Sequence, residues 1–419
     1  MTDQGVSTEQ ESEKVILVAV CDKGSVEKAE ESLGELEELA KTAGALTVDK
    51  IIQSRDKVHP ATYVGKGKIE EIADLIYMHK ATGIITDDEL SPAQIKNLEK
   101  ELDTKIMDRS LLILDIFAKH AHTREGILQV ELAQLNYRVS RLIGLGQSLS
   151  RLGGGIGTRG PGEKKLETDR RHIRRRVEQL RAELGEVKKH QQLLRENRKK
   201  QNKPIVAIAG YTNAGKSTLM NQLTDAHVLE ENQLFATLDP TTRLLELPEG
   251  KEILLTDTVG FIHKLPHHLI EAFHSTLEEV AYADVILHVV DGANPSFEKH
   301  MRVVYETLEK LEALKVPVIT LFNKMDKTIW NAEQLQDERA DEVFYISAKT
   351  GQGIDDVITY LEEKLRDGMQ HIKVKIPYDQ AQLVQSIRTY GQLIEERFDA
   401  DGIYIEAYLE EALVNKYEL

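Results

Sequence analysis

A glycine-rich loop in the middle of the chain has the residue spacing that binds phosphate. Gly210 and Gly215 precede Lys216 and Ser217 in a P-loop pattern, after an apolar run at 205–209 and before a helical stretch. In such a loop the backbone N–H groups converge on an anion, and the helix N-terminus adds partial positive charge. An ordinary glycine turn before a helix is the alternative. The predicted phosphate-binding residues are Gly210, Tyr211, Thr212, Asn213, Ala214, Gly215, Lys216, Ser217 and Thr218.

Lys216 and Ser217 carry the chemistry predicted for this loop. Lys216 is expected to reach the β- and γ-phosphates of a nucleotide, and Ser217 to place its hydroxyl on Mg²⁺. Asp257 ends a predicted strand at the edge where open parallel sheets bind ligands, and it can hold Mg²⁺ through a water. The Gly260 N–H can face the γ-phosphate. Asp and Gly are common turn formers, so the motif from Asp257 to Gly260 alone says little. It gains weight from its position after the P-loop. Its predicted nucleotide-binding residues are Asp257, Thr258, Val259 and Gly260.

Two later motifs, NKMD at 323–326 and SAK at 347–349, indicate which base is bound. NKMD follows the apolar strand predicted at 316–322, and its Asp326 carboxylate can accept hydrogen bonds from guanine N1–H and the N2 amine. Adenine lacks both donors and would leave a desolvated carboxylate without partners. Asn323 is expected to tie the loop together. The Lys324 stem is expected to cover the face of the base, and the Ala348 N–H is expected to donate to guanine O6. For NKMD alone, a polar turn is the alternative. The predicted guanine-binding residues are Asn323, Lys324, Met325, Asp326, Ser347, Ala348 and Lys349.

The segment between these motifs, at 235–243, is predicted to act as a nucleotide-sensing switch. It must supply a hydroxyl to Mg²⁺ and an N–H to the γ-phosphate, ordering with GTP and loosening after hydrolysis. Thr237 is the predicted donor, with Thr241 and Thr242 as runners-up. The predicted nucleotide contacts of the segment are Phe235, Ala236, Thr237, Leu238 and Asp239. The predicted catalytic residues are therefore Lys216, Thr237 and Gly260, and the predicted magnesium ligands are Ser217, Thr237 and Asp257.

Phe261 stands where many small GTPases carry a glutamine that orients the attacking water. Phenylalanine has no polar atom for that task, so either a partner completes the site or water is positioned from elsewhere. Asn213 is one candidate for such help, through a bound potassium ion that supplements the positive charge. The alternative, which the sequence leaves open, is that Asn213 merely fits a tight loop.

Taken together, these motifs resemble those of the HflX family, in the TrmE–Era–Obg–HflX group of translation GTPases. The resemblance implies a ribosome-binding GTPase that acts on the large subunit and splits stalled or idle ribosomes. We also expect Mg²⁺-dependent hydrolysis of GTP that is slow without the ribosome. The matching stretches are GYTNAGKST at 210–218, FATLDPTTR at 235–243, DTVGFI at 257–262 and NKMD at 323–326, with YVGKGK at 63–68 and RLGGGIGTRGPGE at 151–163 upstream.

Two other functions stay open on the sequence. One is a regulatory GTPase switch that binds a protein partner without RNA. The other is an RNA-remodelling NTPase with an ATP site in the N-terminal domain, near the short glycine turn at 65–67. That turn lacks the full dinucleotide fingerprint, so a simple turn before a helix is the better interpretation.

The composition favours a cytoplasmic protein of several domains. The 419 residues are enough for two to four domains, and the 41% of hydrophobic residues suffice for ordinary cores. A single cysteine, Cys21, excludes an internal disulfide and fits a reducing cytosol. No apolar stretch is long enough to span a membrane, and the polar, acidic N-terminus shows no secretory signal. We expect a monomer when the protein is off the ribosome.

The net charge of −16 is unevenly distributed along the chain. Residues 151–200 contain sixteen Lys or Arg against seven Asp or Glu, so this segment carries +9 and the rest carries −25. A basic element on an acidic protein is the footprint expected of localised RNA contact, although a solvated charged helix is the alternative. With the resemblance, we predict contact with the large ribosomal subunit and its rRNA. The predicted RNA-binding residues are Arg151, Arg159, Lys164, Lys165, Arg170, Arg171, Arg174, Arg175 and Arg176.

Four domains are predicted within an α/β fold class. In the first, strands alternate with helices between residues 15 and 107, which indicates a parallel sheet. The predicted domains are an N-terminal α/β domain at 1–109, a projecting two-helix hairpin with a Gly-rich basic tip at 110–203, a P-loop GTPase domain at 204–368 and a small α+β C-terminal domain at 369–419.

Apolar spacing predicts the elements of the hairpin and of the C-terminal domain. The hairpin is expected to be helical from Ser110 to about Ile143 and from Glu163 to about Lys200, around a glycine-rich loop at 144–162. The C-terminal domain is predicted as a strand at 371–376, a helix at 379–393, a strand at 403–408 and a short final helix.

Overall fold

Three β-sheets organise the described part of the chain, which in this computed structural model comprises residues 13–150, 161–200, 203–224, 234–235, 241–264, 279–367 and 369–417. Two of these sheets are wholly or mainly parallel, and their strands alternate with helices, which confirms the predicted α/β fold class. The packing divides the chain into two units. The first contains Met1–Leu184, Glu231–Ala236 and Lys264–Phe273, and the second contains Gly185–Glu230, Thr237–His263 and His274–Leu419.

The first unit is built on a parallel sheet with the strand order β2-β1-β3-β4. A capping box starts α3: the Ser91 hydroxyl accepts from the Gln94 N–H, and the Gln94 side chain accepts from the Ser91 N–H. The predicted alternation of strands and helices is confirmed. The bounds are β1 Lys14–Cys21, α1 Val26–Ala43, β2 Leu46–Ser54, α2 Lys66–His79, β3 Gly83–Thr86, α3 Pro92–Leu102 and β4 Lys105–Asp108.

Three helices follow β4, namely α4 Arg109–His120, α5 Arg124–Ser150 and α6 Pro161–Lys200. The prediction of one helical stretch from 110 to 143 is wrong at 121–123. Ala121 is extended, and the Thr123 hydroxyl accepts from the Gly126 N–H at 3.0 Å, which caps a new helix. Helix α5 also runs into the predicted glycine-rich loop, whose residues 151–160 lie outside the described residues. That α5 and α6 form a projecting hairpin stays a prediction.

Asp108 anchors helix α5 to the first sheet. Its fully buried carboxylate accepts hydrogen bonds from the Leu90 and Leu111 N–H groups. The Tyr137 hydroxyl of α5 donates to it at 2.8 Å, and Arg141 of the same helix forms an ion pair with it. A buried carboxylate is costly without such partners, so these bonds fix the orientation of α5 on the sheet.

The second unit contains a six-stranded sheet with the order β10-β9-β8-β5-β7-β6. Strand β6 runs antiparallel to β7, and the other neighbouring strands pair in parallel. The strands and helices predicted here are confirmed, whereas β6, β8 and α8 are additional to the prediction. The bounds are β5 Ile205–Gly210, α7 Lys216–Thr224, β6 Thr241–Glu246, β7 Glu252–Asp257, β8 Val285–Asp291, α8 Phe297–Lys310, β9 Val318–Asn323, β10 Glu342–Tyr345 and α9 Ile354–Lys364.

An antiparallel sheet with the order β11-β13-β12 follows near the end of the chain. The predicted helix at 379–393 is wrong after Tyr390, because Gly391 ends α10 and strand β12 begins at once. A Cβ on Gly391 would lie 2.8 Å from the Ile387 carbonyl oxygen and 2.9 Å from that of Tyr408, so glycine is required there. The bounds are β11 Met369–Ile376, α10 Ala381–Tyr390, β12 Gln392–Asp399, β13 Gly402–Glu410 and α11 Glu411–Tyr417.

The boundaries of the four predicted domains stay a prediction.

None of the described helices is both long enough and apolar enough to cross a membrane.

Candidate nucleotide-binding site

Two glycines let the P-loop pass close to the neighbouring strands. An added Cβ on Gly210 would lie 2.3 Å from the Val289 carbonyl oxygen of β8. At Gly215, where φ is +100°, it would lie 2.2 Å from Asn323 Nδ2. Asn213 also has a left-handed φ of 59°, which asparagine tolerates better than most residues. The glycine spacing is therefore required by the packing around the loop.

Lys216 lies inside the loop and is only 7% exposed. Its ammonium donates a hydrogen bond to the Tyr211 carbonyl oxygen at 2.9 Å. Burial lowers the pKa of Lys216 to about 8, while the nearby Asp257 carboxylate acts in the opposite direction. A phosphate group beside this ammonium would restore its preference for the charged form. The geometry therefore fits the predicted role of Lys216 as a phosphate contact.

Ser217 and Asp257 bring two oxygen ligands together at the predicted magnesium site. The Ser217 hydroxyl donates to Asp257 Oδ2 at 3.1 Å, and Asp257 is 1% exposed. Hydroxyl and carboxylate oxygens suit a hard cation that retains phosphate and water ligands, so these residues fit Mg²⁺. Within the described ranges, no group of three or more His, Cys, Asp or Glu residues is placed to hold a metal. Ser217 and Asp257 would therefore hold the ion together with the nucleotide.

The switch segment is described only in part. Thr237, the predicted catalytic and magnesium-binding threonine, lies outside the described residues, as do Ala236, Leu238 and Asp239. Phe235 belongs to the first unit, where its ring packs edge-on against Phe117 with centroids 4.6 Å apart; its contact with a nucleotide stays a prediction.

The last three residues of the predicted switch, 241–243, lie in strand β6, which begins at Thr241, and their part in sensing the nucleotide stays a prediction. Thr241 pairs opposite Asp257 across the sheet, and Thr242 pairs opposite Thr256. The Thr242 and Thr256 hydroxyls lie 3.1 Å apart. The two runner-up threonines are thus strand residues in this structure.

Gly260 is packed directly against the P-loop. A Cβ atom added to Gly260 would lie 2.8 Å from Thr212 Cγ2 and 3.0 Å from Lys216 Nζ. Phe261, the next residue, is 3% exposed and bridges back to the loop: its N–H donates to the Gly210 carbonyl oxygen at 3.1 Å, and its own carbonyl accepts from the Thr212 N–H at 2.8 Å. The residue in the glutamine position is therefore both apolar and fixed in place.

Asn323, which was expected to tie its loop together, joins the P-loop to the two base-recognition motifs. Its buried side chain donates to the Ala214 carbonyl oxygen at 2.9 Å and accepts from the Ala348 N–H at 2.9 Å. The Ala348 N–H thus has an acceptor within the protein, and its bond to guanine O6 stays a prediction. The Met325 N–H donates to the Ile346 carbonyl oxygen at 3.2 Å, which links the two motifs a second time.

Asp326 and Lys324, the predicted contacts with the guanine base, are held by neighbouring polar groups. Asp326 is exposed, and the Ser347 hydroxyl donates to its Oδ1 at 2.7 Å. This hydrogen bond is the main reason that the pKa of Asp326 lies below its usual value, so the carboxylate is ionised at neutral pH. Lys324 Nζ donates to the Asn213 carbonyl oxygen at 2.8 Å and pairs with Asp291 at 2.7 Å. This lysine therefore ties the base-recognition loop to the P-loop.

The remaining predicted residues are placed as follows. Thr218 is half-buried in the first turn of α7, and Val259 is buried. The Thr258 hydroxyl is turned into the sheet, where it donates to the Ile208 carbonyl oxygen at 2.7 Å. Lys349 is exposed at the end of the second base-recognition motif.

One residue of the site, Asp291, and one set of contacts, those of Tyr211, were not predicted from the sequence. Asp291 is the last residue of β8 and forms an ion pair with Lys324. The sequence signal that could have identified Asp291 is the buried run at 285–290, which ends at this carboxylate. The Tyr211 hydroxyl accepts from the His263 N–H at 2.8 Å, and its ring stacks on His300 of α8, with centroids 3.8 Å apart. Tyr211 thus joins the P-loop to the segment after Gly260, a contact that no local motif encodes.

Three family models match the chain in order along its length. The model described as GTP-binding GTPase N-terminal matches residues 30–118, and the one described as GTP-binding GTPase Middle Region matches 120–198. The model described as 50S ribosome-binding GTPase matches 205–324. A GTPase HflX from Lacrimispora saccharolytica is 60% identical over 397 residues, which cover 95% of this chain and 93% of that protein. The chain belongs to the GTPase HflX family.

Other comparisons agree with the HflX assignment. A GTPase HflX from Caldanaerobacter subterraneus subsp. tengcongensis is 49% identical over 398 residues, covering 95% of this chain and 91% of that protein. The crystal structure of SsGBP in complex with GDP covers 84% of this chain and 98% of its own, with 24% identity and a TM-score of 0.50, and shows a shared fold. The resemblance inferred from the motifs is therefore confirmed, and this HflX protein binds GTP and hydrolyses it.

Five of the predicted RNA-binding arginines of this HflX chain lie on helix α6. Arg171, Arg174 and Arg175 are exposed, and Arg170 is half-buried. Arg176 instead forms a two-point contact with Glu131 of α5, at 2.7 and 2.8 Å. This hydrogen bond raises the pKa of Arg176. Arg151 and Arg159 lie outside the described residues, and so do the side chains of Lys164 and Lys165, which stand in the first turns of α6.

Proposed function

We propose that this HflX-family GTPase binds the large ribosomal subunit and uses its GTP cycle to dissociate stalled or idle ribosomes. The observation that best supports this proposal is the match of residues 205–324 to the model described as 50S ribosome-binding GTPase. In the proposed cycle, GTP stabilises a conformation that wedges into the ribosome, and hydrolysis resets it. The protein would act in the cytoplasm and be a monomer off the ribosome.

Helix α6 would supply the electrostatic contact with rRNA. Arg171, Arg174 and Arg175 are spaced by three and four residues, so they lie close together on one helix face. Exposed guanidinium groups at this spacing can each neutralise a phosphate, which makes binding dependent on salt. Arg176 would contribute less, because Glu131 already holds its guanidinium. The remaining predicted contacts are Arg151, Arg159, Lys164, Lys165 and Arg170.

Catalytic assistance would come partly from the ribosome. Phe261 offers no polar atom to the attacking water, and its buried position supports slow hydrolysis by the isolated protein. A potassium ion at Asn213 remains a second proposed source of assistance. The left-handed φ of 59° at Asn213 also suits its alternative role of fitting a tight loop, so exchanging K⁺ for Na⁺ in a hydrolysis assay separates the two.

The deciding experiment measures GTP hydrolysis by the purified protein with and without purified large subunits, in potassium buffer. Stimulation by orders of magnitude would support the ribosome as the partner. Sedimentation of 70S ribosomes incubated with the protein and GTP or a non-hydrolysable analogue then tests dissociation, and intact 70S particles would contradict it.

Failure to stimulate, with intact GTP binding, would favour a switch that binds a protein partner without RNA. ATP turnover that survives Lys216→Ala would favour the third function, an NTPase with an ATP site in the N-terminal domain. Each alternative therefore has an outcome of its own in the same set of assays.

A further inference from the structure

Thr212 brings a hydroxyl into the phosphate-binding loop for which the P-loop pattern has no assigned use. The residue is 7% exposed, and its N–H is already bonded to the Phe261 carbonyl oxygen. Its Oγ1 atom is buried and has no hydrogen-bond partner among the residues that the structure describes. Buried hydroxyls without a partner are rare in folded proteins and cost free energy, so a polar group that is not part of the fold is expected to meet this one.

The position of Thr212 indicates what that group is. The point at which Gly260 would carry a Cβ lies 2.8 Å from Thr212 Cγ2 and 3.0 Å from Lys216 Nζ. The Thr212 methyl group and the Lys216 ammonium therefore flank the same face of Gly260, and the Thr212 hydroxyl is the other branch of that side chain. Lys216 is the P-loop lysine that reaches the terminal phosphates, so Thr212 stands beside the place where the terminal phosphoryl group of GTP must lie.

The neighbouring Phe261 explains why a hydroxyl is needed there. Its side chain is apolar, and both of its backbone polar groups are bonded to the P-loop. It cannot turn a polar atom toward the reacting group without breaking those two hydrogen bonds. A donor that assists hydrolysis must come from another residue, and Thr212 is bonded to Phe261 itself.

We propose that Thr212 is a catalytic residue of GTP hydrolysis, with its hydroxyl donating a hydrogen bond to the terminal phosphoryl group as negative charge shifts on it in the transition state. A water oxygen forms the new bond to phosphorus while the bond to the β–γ bridging oxygen breaks. GDP leaves, and the proton of the water ends on the released phosphate. Thr212 neither gains nor loses a proton. The proposal rests on the GTPase activity of the family and not on ribosome binding.

The test compares Thr212→Val, which keeps the shape but lacks the hydroxyl, with Thr212→Ser, which keeps the hydroxyl but lacks the methyl group. Single-turnover hydrolysis gives the rate, and fluorescence titration gives the affinities for GDP, for a non-hydrolysable GTP analogue and for GDP with aluminium fluoride, which imitates the transferring phosphoryl group. We expect Thr212→Val to slow hydrolysis by about tenfold to a hundredfold and to weaken the aluminium fluoride complex comparably. Affinities for GDP and the GTP analogue should stay within about twofold, and Thr212→Ser should recover most of the rate.

Three results would overturn the proposal. One is an unchanged rate in Thr212→Val. Another is an equal reduction in the Val and Ser variants, which would assign the effect to packing of the methyl group against Gly260. The third is equal weakening of all three nucleotide complexes, which would make Thr212 a structural residue of the loop.

Discussion

The Arg109 guanidinium lies 2.8 Å from the Asp87 carboxylate, and the two side chains are 2% and 3% exposed. Lys264 pairs with the same carboxylate, and the Ser32 hydroxyl donates to it at 2.8 Å. Burial alone would raise the pKa of Asp87, but the charges of Arg109 and Lys264 outweigh burial and hold the pKa below its usual value. Because Asp87 follows β3 and Arg109 follows β4, this cluster joins the carboxyl ends of two strands in the first unit.

Removing the Asp87 charge should destabilise the first unit. Asp87→Asn leaves the buried Arg109 with Glu35 as its remaining carboxylate partner, and we expect the free energy of unfolding to fall by about 3 kcal/mol. Hydrogen exchange followed by mass spectrometry, on peptides covering 83–108, measures that decrease. Since the folded pKa of Asp87 is below the unfolded one, its contribution is present at neutral pH and disappears as the pH falls through the folded pKa.

The matched control for Asp87→Asn is Glu37→Gln. Glu37 pairs with Lys50 at 2.6 Å, but the two side chains are 41% and 37% exposed. Solvent screens such a pair, so breaking it should cost less than about 1 kcal/mol. Equal effects of the two substitutions would contradict the assignment of Asp87 and Arg109 as a buried structural pair.

The sequence predicts those parts of the site whose geometry is locally determined. The P-loop glycines are required by close contacts with backbone and with Asn323, so their spacing alone locates β5, the loop and α7. The sequence predicts that Asn323 ties its loop together, and the contact of Asn323 with the P-loop is a finding of the structure. Asp257 and Ser217 meet because Asp257 ends β7, and Ser217 lies in the first turn of α7, which the P-loop connects to the end of the neighbouring strand β5.

Other features depend on contacts between distant residues and could not be predicted from the pattern. Arg176 and Glu131 are 45 positions apart. The sequence therefore shows a row of arginines but does not show that Arg176 is the one bonded to a carboxylate. The apolar spacing of α10 continues into Leu393, but the backbone becomes extended at Gly391, where the Tyr408 carbonyl of a strand later in the chain leaves no room for a side chain. The break between α4 and α5 had a local signal, the Thr123 cap, but the apolar period on either side obscured it.

Replacing Asp326 should alter the choice of base. Asp326→Asn removes an ionised acceptor for guanine N1–H and the N2 amine, and we expect GTP affinity to fall about a hundredfold. Xanthosine triphosphate should bind better than it does to the parent, because its O2 atom can accept from the new amide. Competition titrations with a fluorescent GTP analogue measure both, with the exposed neighbour Lys327→Ala as control. Unchanged preference for guanine in Asp326→Asn would refute the assignment.

Lys216 should make GTP binding depend on pH. Burial lowers the pKa of this ammonium to about 8, so in the nucleotide-free protein it loses its proton as the pH rises through that value. Phosphate favours the charged form, so binding above about pH 8 must be coupled to proton uptake. We expect affinity to be constant below that pH and to fall by up to about tenfold per pH unit above it.

Titration calorimetry between pH 7 and 9, in buffers of different ionisation enthalpy, measures this proton uptake directly. Lys216→Met should bind GTP weakly and show no uptake linked to this site. A parent protein whose affinity and proton balance are the same at pH 7 and pH 9 would show that Lys216 stays charged without nucleotide.

Charge on helix α6 should control the salt dependence of ribosome binding. Replacing Arg171, Arg174 and Arg175 with Gln should weaken binding to large subunits and reduce the log–log salt slope by about one for each phosphate that is no longer neutralised.

The control with the same change in net charge is Lys373→Gln, Arg388→Gln and Arg397→Gln, all exposed residues of the C-terminal sheet and its helix α10. Adding Arg176→Gln to the α6 variant should change the slope by less than one, since Glu131 holds that guanidinium. If the α6 variant and the C-terminal control have the same slope, the arginines form a solvated face, and RNA contact must be sought elsewhere on the chain.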